Sequence, residues 1–271
     1  MTTASPTVPA PPRPAILEAR GLSVGYGPHP VLRDLSFEVP RDRFTAIIGP
    51  NGCGKSTLLK SLGRTLTPRS GGIYLGGEEL SRQRAKTIAR AIALLPQDPV
   101  APETIRVRDL VGRGRHPYHS LLRQWAPGDA EIVDRALAAT GVSALADRFV
   151  SELSGGQRQR VWVALILAQD TGIVLLDEPT SFLDIAHQIE VLHLCQDMRD
   201  AGKTVVAVLH DLNQAARYAE HLVVMQAGSI VAQGSPETVL TRELIEDVFS
   251  LDCEITRDPQ AGSPLIVPRA R

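Results

Sequence analysis

Gly49-Pro50-Asn51-Gly52-Cys53-Gly54-Lys55-Ser56-Thr57 follows the pattern G-x-x-x-x-G-K-[ST], whose residue types and spacing suit the oxygens of a nucleotide's phosphates. Glycines let the chain wrap tightly and turn successive backbone N–H groups inward, making a nest for anionic oxygen. A helix that begins at the same place adds partial positive charge. Lys55 then reaches the β- and γ-phosphates, and Ser56 offers its hydroxyl to Mg²⁺. A glycine-rich strand-to-helix turn that binds nothing is the bland alternative, and the flanks decide against it. The apolar run Phe44, Ala46, Ile47, Ile48 leads in, and Leu58, Leu59 and Leu62 share one face of the helix that leads out.

Other apolar runs also finish in a polar group. Leu94-Leu95 leads to Gln97, Leu175-Leu176 to Asp177-Glu178, and Val208-Leu209 to His210. Continuous apolar runs alternating with helices indicate an α/β fold with parallel strands buried on both faces. Parallel strands bring their carboxyl ends to one edge, where open α/β sheets bind ligands. These groups should therefore converge with the glycine loop on one nucleotide. Asp177 suits Mg²⁺, directly or through water. Glu178, one residue on, can face a water beside the γ-phosphate as general base or water-orienting group. The alternative for this pair is a strand-end acid capping the turn before Pro179. Gln97 suits a contact to Mg²⁺ or the attacking water, or is a solvated loop amide. His210 either contacts the γ-phosphate or serves the structure.

The elements that must position these groups read as follows. Residues 1–14, rich in Pro, Thr and Ala, are expected to be a disordered tail. Ile16–Val24 and Val31–Val39 read as strands around a turn at Gly25–Pro30. Tyr26 in that turn is either an aromatic capping the hairpin or a stacking surface for adenine. From Asp98 to about Leu165 strand-like runs give way to helical ones, indicating a helical insertion. A helix from Asp184 should bury Ile185, Ile189, Leu192 and Cys195 along one face. His221–Met225 and Ile230–Gln233 read as a hairpin, and a short helix near Leu244–Val248 precedes two small strands.

Composition excludes little. A formal net charge of −1 over 271 residues gives no general reason for nucleic acid as a partner. No apolar stretch reaches the roughly 18 residues of a membrane span, and no secretory signal is expected. The three cysteines, Cys53, Cys195 and Cys253, have no metal-ligand spacing. Cys53, between glycines and beside Lys55 and a helix start, is expected to be acidic, reactive and protected by ATP.

Leu153-Ser154-Gly155-Gly156-Gln157 is the discriminating motif. With the groups above, it makes the chain after Pro14 resemble an ABC-type ATPase. The resemblance implies a P-loop NTPase core over 15–97 and 166–271, with a parallel sheet and an N-terminal antiparallel β subdomain. A helical subdomain bearing the signature is inserted over 98–165. It implies ATP and Mg²⁺ as ligands, adenine stacking on Tyr26 and a switch role for His210. It also implies a dimer-contact loop at Ser181-Phe182-Leu183-Asp184, where Asp184 equally suits a helix N-cap. In the family two cassettes pair head to tail, so that Ser154, Gly155, Gly156 and Gln157 of one copy complete the γ-phosphate site of the other.

One glycine loop, one signature and no membrane run resemble a separate importer subunit at the cytoplasmic face of the cell membrane. Its partners would be a second ATPase subunit, an integral permease and, indirectly, a periplasmic or lipid-anchored substrate-binding protein. Gly112-Arg113-Gly114-Arg115-His116-Pro117 and the run Glu178–Gln188 resemble the ferric-siderophore, haem and cobalamin group, siderophore foremost. The rivals are a soluble ABC-type ATPase in assembly or regulation, such as iron–sulfur assembly, and a nucleotide-gated clamp. The basic stretch Arg106–Arg123 is either a solvated surface or, through Arg113, Arg115 and His116, a dock for a permease helix.

Overall fold

A computed structural model of the chain describes residues 16–119 and 126–270. The expected tail at 1–14 and the end of the basic stretch lie outside them. A six-stranded sheet is formed by β3 (Phe44–Ile48), β6 (Ile92–Leu95), β7 (Ile173–Asp177), β8 (Thr204–Val208), β9 (His221–Gln226) and β10 (Ser229–Gly234). Its order is β10-β9-β3-β8-β7-β6, with every neighbouring pair parallel except β9 and β10. Every residue of β3, β7 and β8 is buried. Successive side chains point to opposite faces, so each strand feeds two cores. Phe44, Ala46, Val174, Leu176, Val205 and Ala207 enter one. Ile47, Ile173, Leu175, Val206 and Val208 enter the other. A continuous apolar run is the signature of a strand covered on both sides.

The second core is closed by α1 (Lys55–Leu62) and by an antiparallel sheet. That sheet comprises β1 (Leu17–Tyr26), β2 (His29–Val39), β4 (Ser70–Leu75) and β5 (Glu78–Glu79), in the order β2-β1-β4-β5. The hairpin is tighter than the expected turn at Gly25–Pro30. Tyr26 pairs with His29 and Gly25 with Pro30, leaving Gly27 and Pro28 at the tip. Gly25 permits this, since a Cβ there would lie 2.1 Å from the His29 carbonyl oxygen.

On the other face lie α6 (Ile185–Asp200) and α7 (Leu212–Tyr218). Leu192 and Cys195 are buried on α6 as expected, together with Val191 and Met198. Ile189 is only partly buried, and Ile185 is 78% exposed, because the first turn of α6 runs beyond the core. A short helix, α2 (Ala85–Ala91), precedes β6, and the helical stretch after β6 comprises α3 (Val107–Gly112), a 3₁₀ turn over Arg113–Tyr118, α4 (Asp129–Ala139) and α5 (Gly155–Gln169). The chain closes with α8 (Pro236–Val239), α9 (Arg242–Phe249) and the hairpin β11 (Cys253–Arg257) and β12 (Pro264–Pro268).

Arg115 does not belong to a solvated or docking surface. Its side chain is buried, its Nε donates to Asp129 Oδ1 at 2.9 Å, and a terminal nitrogen donates to the Ala168 carbonyl at 2.8 Å. Asp129 Oδ2 also accepts from the Ala126 N–H and faces His119 Nε2 at 3.0 Å. A buried carboxylate with these partners ties the 3₁₀ turn, the start of α4 and the end of α5 together. Burial alone pushes the Asp129 carboxyl up, but the Ala126 N–H, Arg115 and His119 outweigh it and hold it below the ordinary carboxylate value.

Removing one member of this buried pair strands the other charge. Asp129→Ala is expected to cost about 3 kcal/mol, read as a fall in Tm. The unfolded chain holds its proton to higher pH than the folded one, so Asp129 stabilises fully above the ordinary carboxylate range. That contribution disappears as pH falls through the lower folded value. Asp129→Asn should flatten this part of the Tm-against-pH curve between about pH 5 and pH 2.

Candidate nucleotide site

The glycine loop runs from the end of β3 into α1. Gly49 and Gly54 adopt φ of 150° and 107°. A Cβ at Gly49 would lie 2.2 Å from the Met225 carbonyl oxygen, so the loop and β9 can approach only without a side chain. Gly54 is the N-cap of α1 and brings no side-chain cap, leaving the first-turn N–H groups to an external anion. Lys55 is buried across the loop, its Nζ donating to the carbonyls of Gly49 at 2.8 Å and Pro50 at 3.0 Å.

The neighbouring strands deliver the remaining groups in spatial order: His210 after β8, Asp177 and Glu178 on and after β7, and Gln97 after β6. Asp177 is fully buried. Its Oδ1 accepts from Ser56 Oγ at 2.8 Å, while Oδ2 is buried with no hydrogen-bond partner, and Lys60 Nζ stands 4.0 Å away. Burial pushes the Asp177 carboxyl up, against the pull of the Ser56 hydroxyl and Lys60. An orphaned carboxylate oxygen beside a hydroxyl is a hard oxygen set of the kind Mg²⁺ takes together with substrate phosphates. Among the described residues there is no cluster of three or more His, Cys, Asp and Glu side chains that could hold a metal.

Glu178 has φ 54°, a left-handed turn that lifts its side chain off the strand line. Its Oε1 lies 2.6 Å from His210 Nε2, and its Oε2 accepts from Gln97 Nε2 at 3.0 Å and from Ser181 Oγ at 3.1 Å. Tyr26, Asn51, Gly52, Gly54, Lys55, Ser56, Thr57, Gln97, Glu178 and His210 line one open cleft of about 550 Å³, with Val31 as an added wall. The Tyr26 ring is 54% exposed, presenting a free face for a base to stack on. Gly49, Pro50 and Cys53 do not line the cleft, although Pro50 still receives the Lys55 ammonium.

Ser154, Gly155, Gly156, Gln157 and Asp184 are not brought to this cleft. They form a second locus. Ser154 caps α5, its Oγ accepting from the Gln157 N–H while Gln157 Oε1 accepts from the Ser154 N–H. Gly156 faces Leu183, where a Cβ would stand 3.3 Å from a Leu183 methyl. Asp184 caps α6 through the His187 N–H and also meets His187 Nδ1 at 2.7 Å. The exposed N-terminus of α5 and the loop before α6 thus share one face. Sequence reasoning missed the Ser181 hydroxyl on Glu178 and the helix α7; the Asp211–Gln214 spacing, a capping pattern, could have revealed the latter.

Cys53 departs from expectation. It is buried under the loop, and that burial raises its thiol pKa, outweighing the Lys55 charge and the N–H groups around it. Maleimide labelling of Cys53 at pH 7 should therefore run slower than that of an exposed cysteine peptide, with or without ATP. Labelling as fast as the peptide, and blocked by ATP, would restore the reactive-thiol reading.

A protein-family model described as ABC transporter matches residues 32–181, more than half of the chain. The chain is 52% identical over 258 residues to the ferric enterobactin transport ATP-binding protein FepC of Escherichia coli K12, covering 95% of each. It is 49% identical to the probable siderophore transport system ATP-binding protein YusV of Bacillus subtilis 168, over 92% of this chain and 91% of that one. Among solved structures, a metal-chelate type ABC transporter in an inward-facing conformation superposes with a TM-score of 0.80 at 28% identity, covering 95% of this chain and 98% of that one. With a glycine loop, strand-end acids and signature arranged as described, the chain belongs to the ABC transporter family, as an ATP-binding subunit.

Proposed function

We propose that this chain is the ATP-hydrolysing subunit of a ferric-siderophore importer, working as a pair of copies beneath a membrane permease. The observation that carries the enzymatic part is the convergence on one cleft of Lys55, Ser56, Gln97, Glu178 and His210, with Asp177 buried behind Ser56. The cargo rests on the relatives: FepC is named for ferric enterobactin transport and YusV for a siderophore transport system, and an achromobactin transport ATP-binding protein of Dickeya dadantii is 50% identical over 94% of this chain. These names favour transport over a soluble assembly ATPase. Among the described residues no helix is long and apolar enough to cross a membrane; in this reading a separate permease carries the spans, and the subunit binds it at the cytoplasmic face. A periplasmic or lipid-anchored binding protein would deliver the chelate.

In this reading Tyr26 stacks on adenine, and the backbone N–H groups of Asn51, Gly52 and Gly54–Thr57 with the Lys55 ammonium hold the phosphates. Ser56 and Asp177, together with Gln97, would hold Mg²⁺, which would supply neutralisation of phosphate charge. Glu178 takes a proton from water as the water oxygen bonds to the γ-phosphorus, and the bond from that phosphorus to the β–γ bridging oxygen breaks, so that ADP leaves with the bridging oxygen. His210 and Gln97 hold the Glu178 carboxylate in place from two sides. Ser154, Gly155, Gly156 and Gln157 of a second copy, with its Asp184 loop, close the cleft over the γ-phosphate. A two-fold pair makes this contact mutual.

Glu178→Gln keeps the size and contacts but removes the base. It should retain ATP, accumulate a pair of copies and lower kcat by at least about 100-fold. Unchanged turnover would remove Glu178 from its role. The exposed Arg113 and His116 border a groove with Arg108, Asp109 and His119, and we place the permease helix there. Arg113→Glu alone, leaving the buried Arg115 untouched, should abolish siderophore uptake in cells while the purified subunit still hydrolyses ATP. Intact uptake would contradict that placement.

A further inference from the structure

Side-chain amides hold the backbone of the loop that follows Glu178. Gln159, on α5, donates from Nε2 to the Pro179 carbonyl at 3.1 Å. Gln188, on α6, donates from Nε2 to the carbonyls of Thr180 at 3.3 Å and Leu183 at 3.2 Å. The Gln188 Oε1 accepts from Gln214 Nε2 at 2.8 Å. Gln214 stands in the first turn of α7, bonded through its backbone N–H to the N-cap Asp211, the residue after His210.

Backbone carbonyls only accept, so the Gln188 amide has one workable orientation. Its NH₂ faces the loop and its oxygen faces Gln214. The direction of donation is thereby fixed: Gln214 gives to Gln188, and Gln188 gives to Thr180 and Leu183. The loop needs such support, because Glu178 and Phe182 both adopt left-handed φ, 54° and 64°, without being glycine. Such residues persist where their surroundings over-determine them. One end of the loop presents Glu178 to His210, and the other sets Leu183 against Gly156 of the signature turn.

We infer that Gln214 and Gln188 form a positioning relay, tying the His210 end of β8 to the backbone of Thr180–Leu183 and so to the signature face. Neither residue lines the nucleotide cleft, so neither is catalytic. A displacement of His210 on loss of the γ-phosphate is passed through Asp211 and α7 to the loop that meets the second copy. This inference rests on the reading of hydrolysis by paired copies.

The polarity of the relay supplies its test, on the full-length purified chain. Gln214→Lys keeps a donor toward Gln188 and should retain kcat. Gln214→Glu and Gln214→Leu remove the donor and should each lower kcat about fivefold, the worth of one neutral hydrogen bond, with KM for ATP unchanged. Gln188→Leu should lose at least as much, and the Gln188→Leu/Gln214→Leu double variant no more than Gln188→Leu alone. A merely structural role ranks the variants the other way, since an anion in the first turn of α7 stabilises the helix and a cation does not. Glutamate matching or exceeding lysine in kcat therefore overturns the relay. So does wild-type kcat in Gln188→Leu, which decides the matter should a Gln214 variant fold poorly. A wild-type chain that neither pairs nor hydrolyses ATP refutes the proposed function itself, whereas wild-type hydrolysis with the reversed ranking refutes only the relay.

Discussion

A buried carboxylate with one unsatisfied oxygen is the constraint around which the sheet edge is built. Asp177 has no exposure, one oxygen occupied by Ser56 and the other without a hydrogen-bond partner. A buried charged oxygen is costly unless something pairs with it. The groups around it are of the kind that would take a cation together with phosphate. Ser56 begins α1 from the glycine loop, Lys60 stands one turn further along, and Glu178 follows directly on the chain. The parallel sheet brings them together, because all its strands but β10 end on this edge.

Much of this edge is legible in the sequence. Runs such as Ile173–Leu176 and Val205–Leu209 are too apolar for a strand with one wet face, so a two-sided parallel sheet follows. The polar residue ending each run then lies where α/β sheets bind ligands. Strand order is not legible: β8, late in the chain, sits between β3 and β7. Periodicity states which face of an element is buried, not which element covers it. For the same reason Ile185 fits an apolar stripe on α6 yet stands in solvent, since the core ends before the helix does.

Charge is the other place where sequence reasoning and structure part. Arg115 looks like part of a basic surface, but its partner Asp129 lies 14 residues away and the two are buried together. Cys53 sits beside a lysine and a helix start, both of which acidify a thiol, but burial beneath the glycine loop outweighs them. The loop from Glu178 to Asp184 illustrates a third limit. Its residues are recognisable by resemblance, but its support by Gln159, Gln188 and Gln214 depends on three helices meeting at one place.

On the proposed reading, the phosphate cleft and the capped signature helix outside it serve one reaction, completed only when two copies meet. The direct measurement is the initial ATPase rate of the purified chain at saturating Mg-ATP as protein concentration is lowered. Sites shared between copies predict a rate that falls with the square of concentration once pairs dissociate. A rate strictly proportional to protein concentration at every dilution, in a chain that stays monomeric with ATP, would contradict the account.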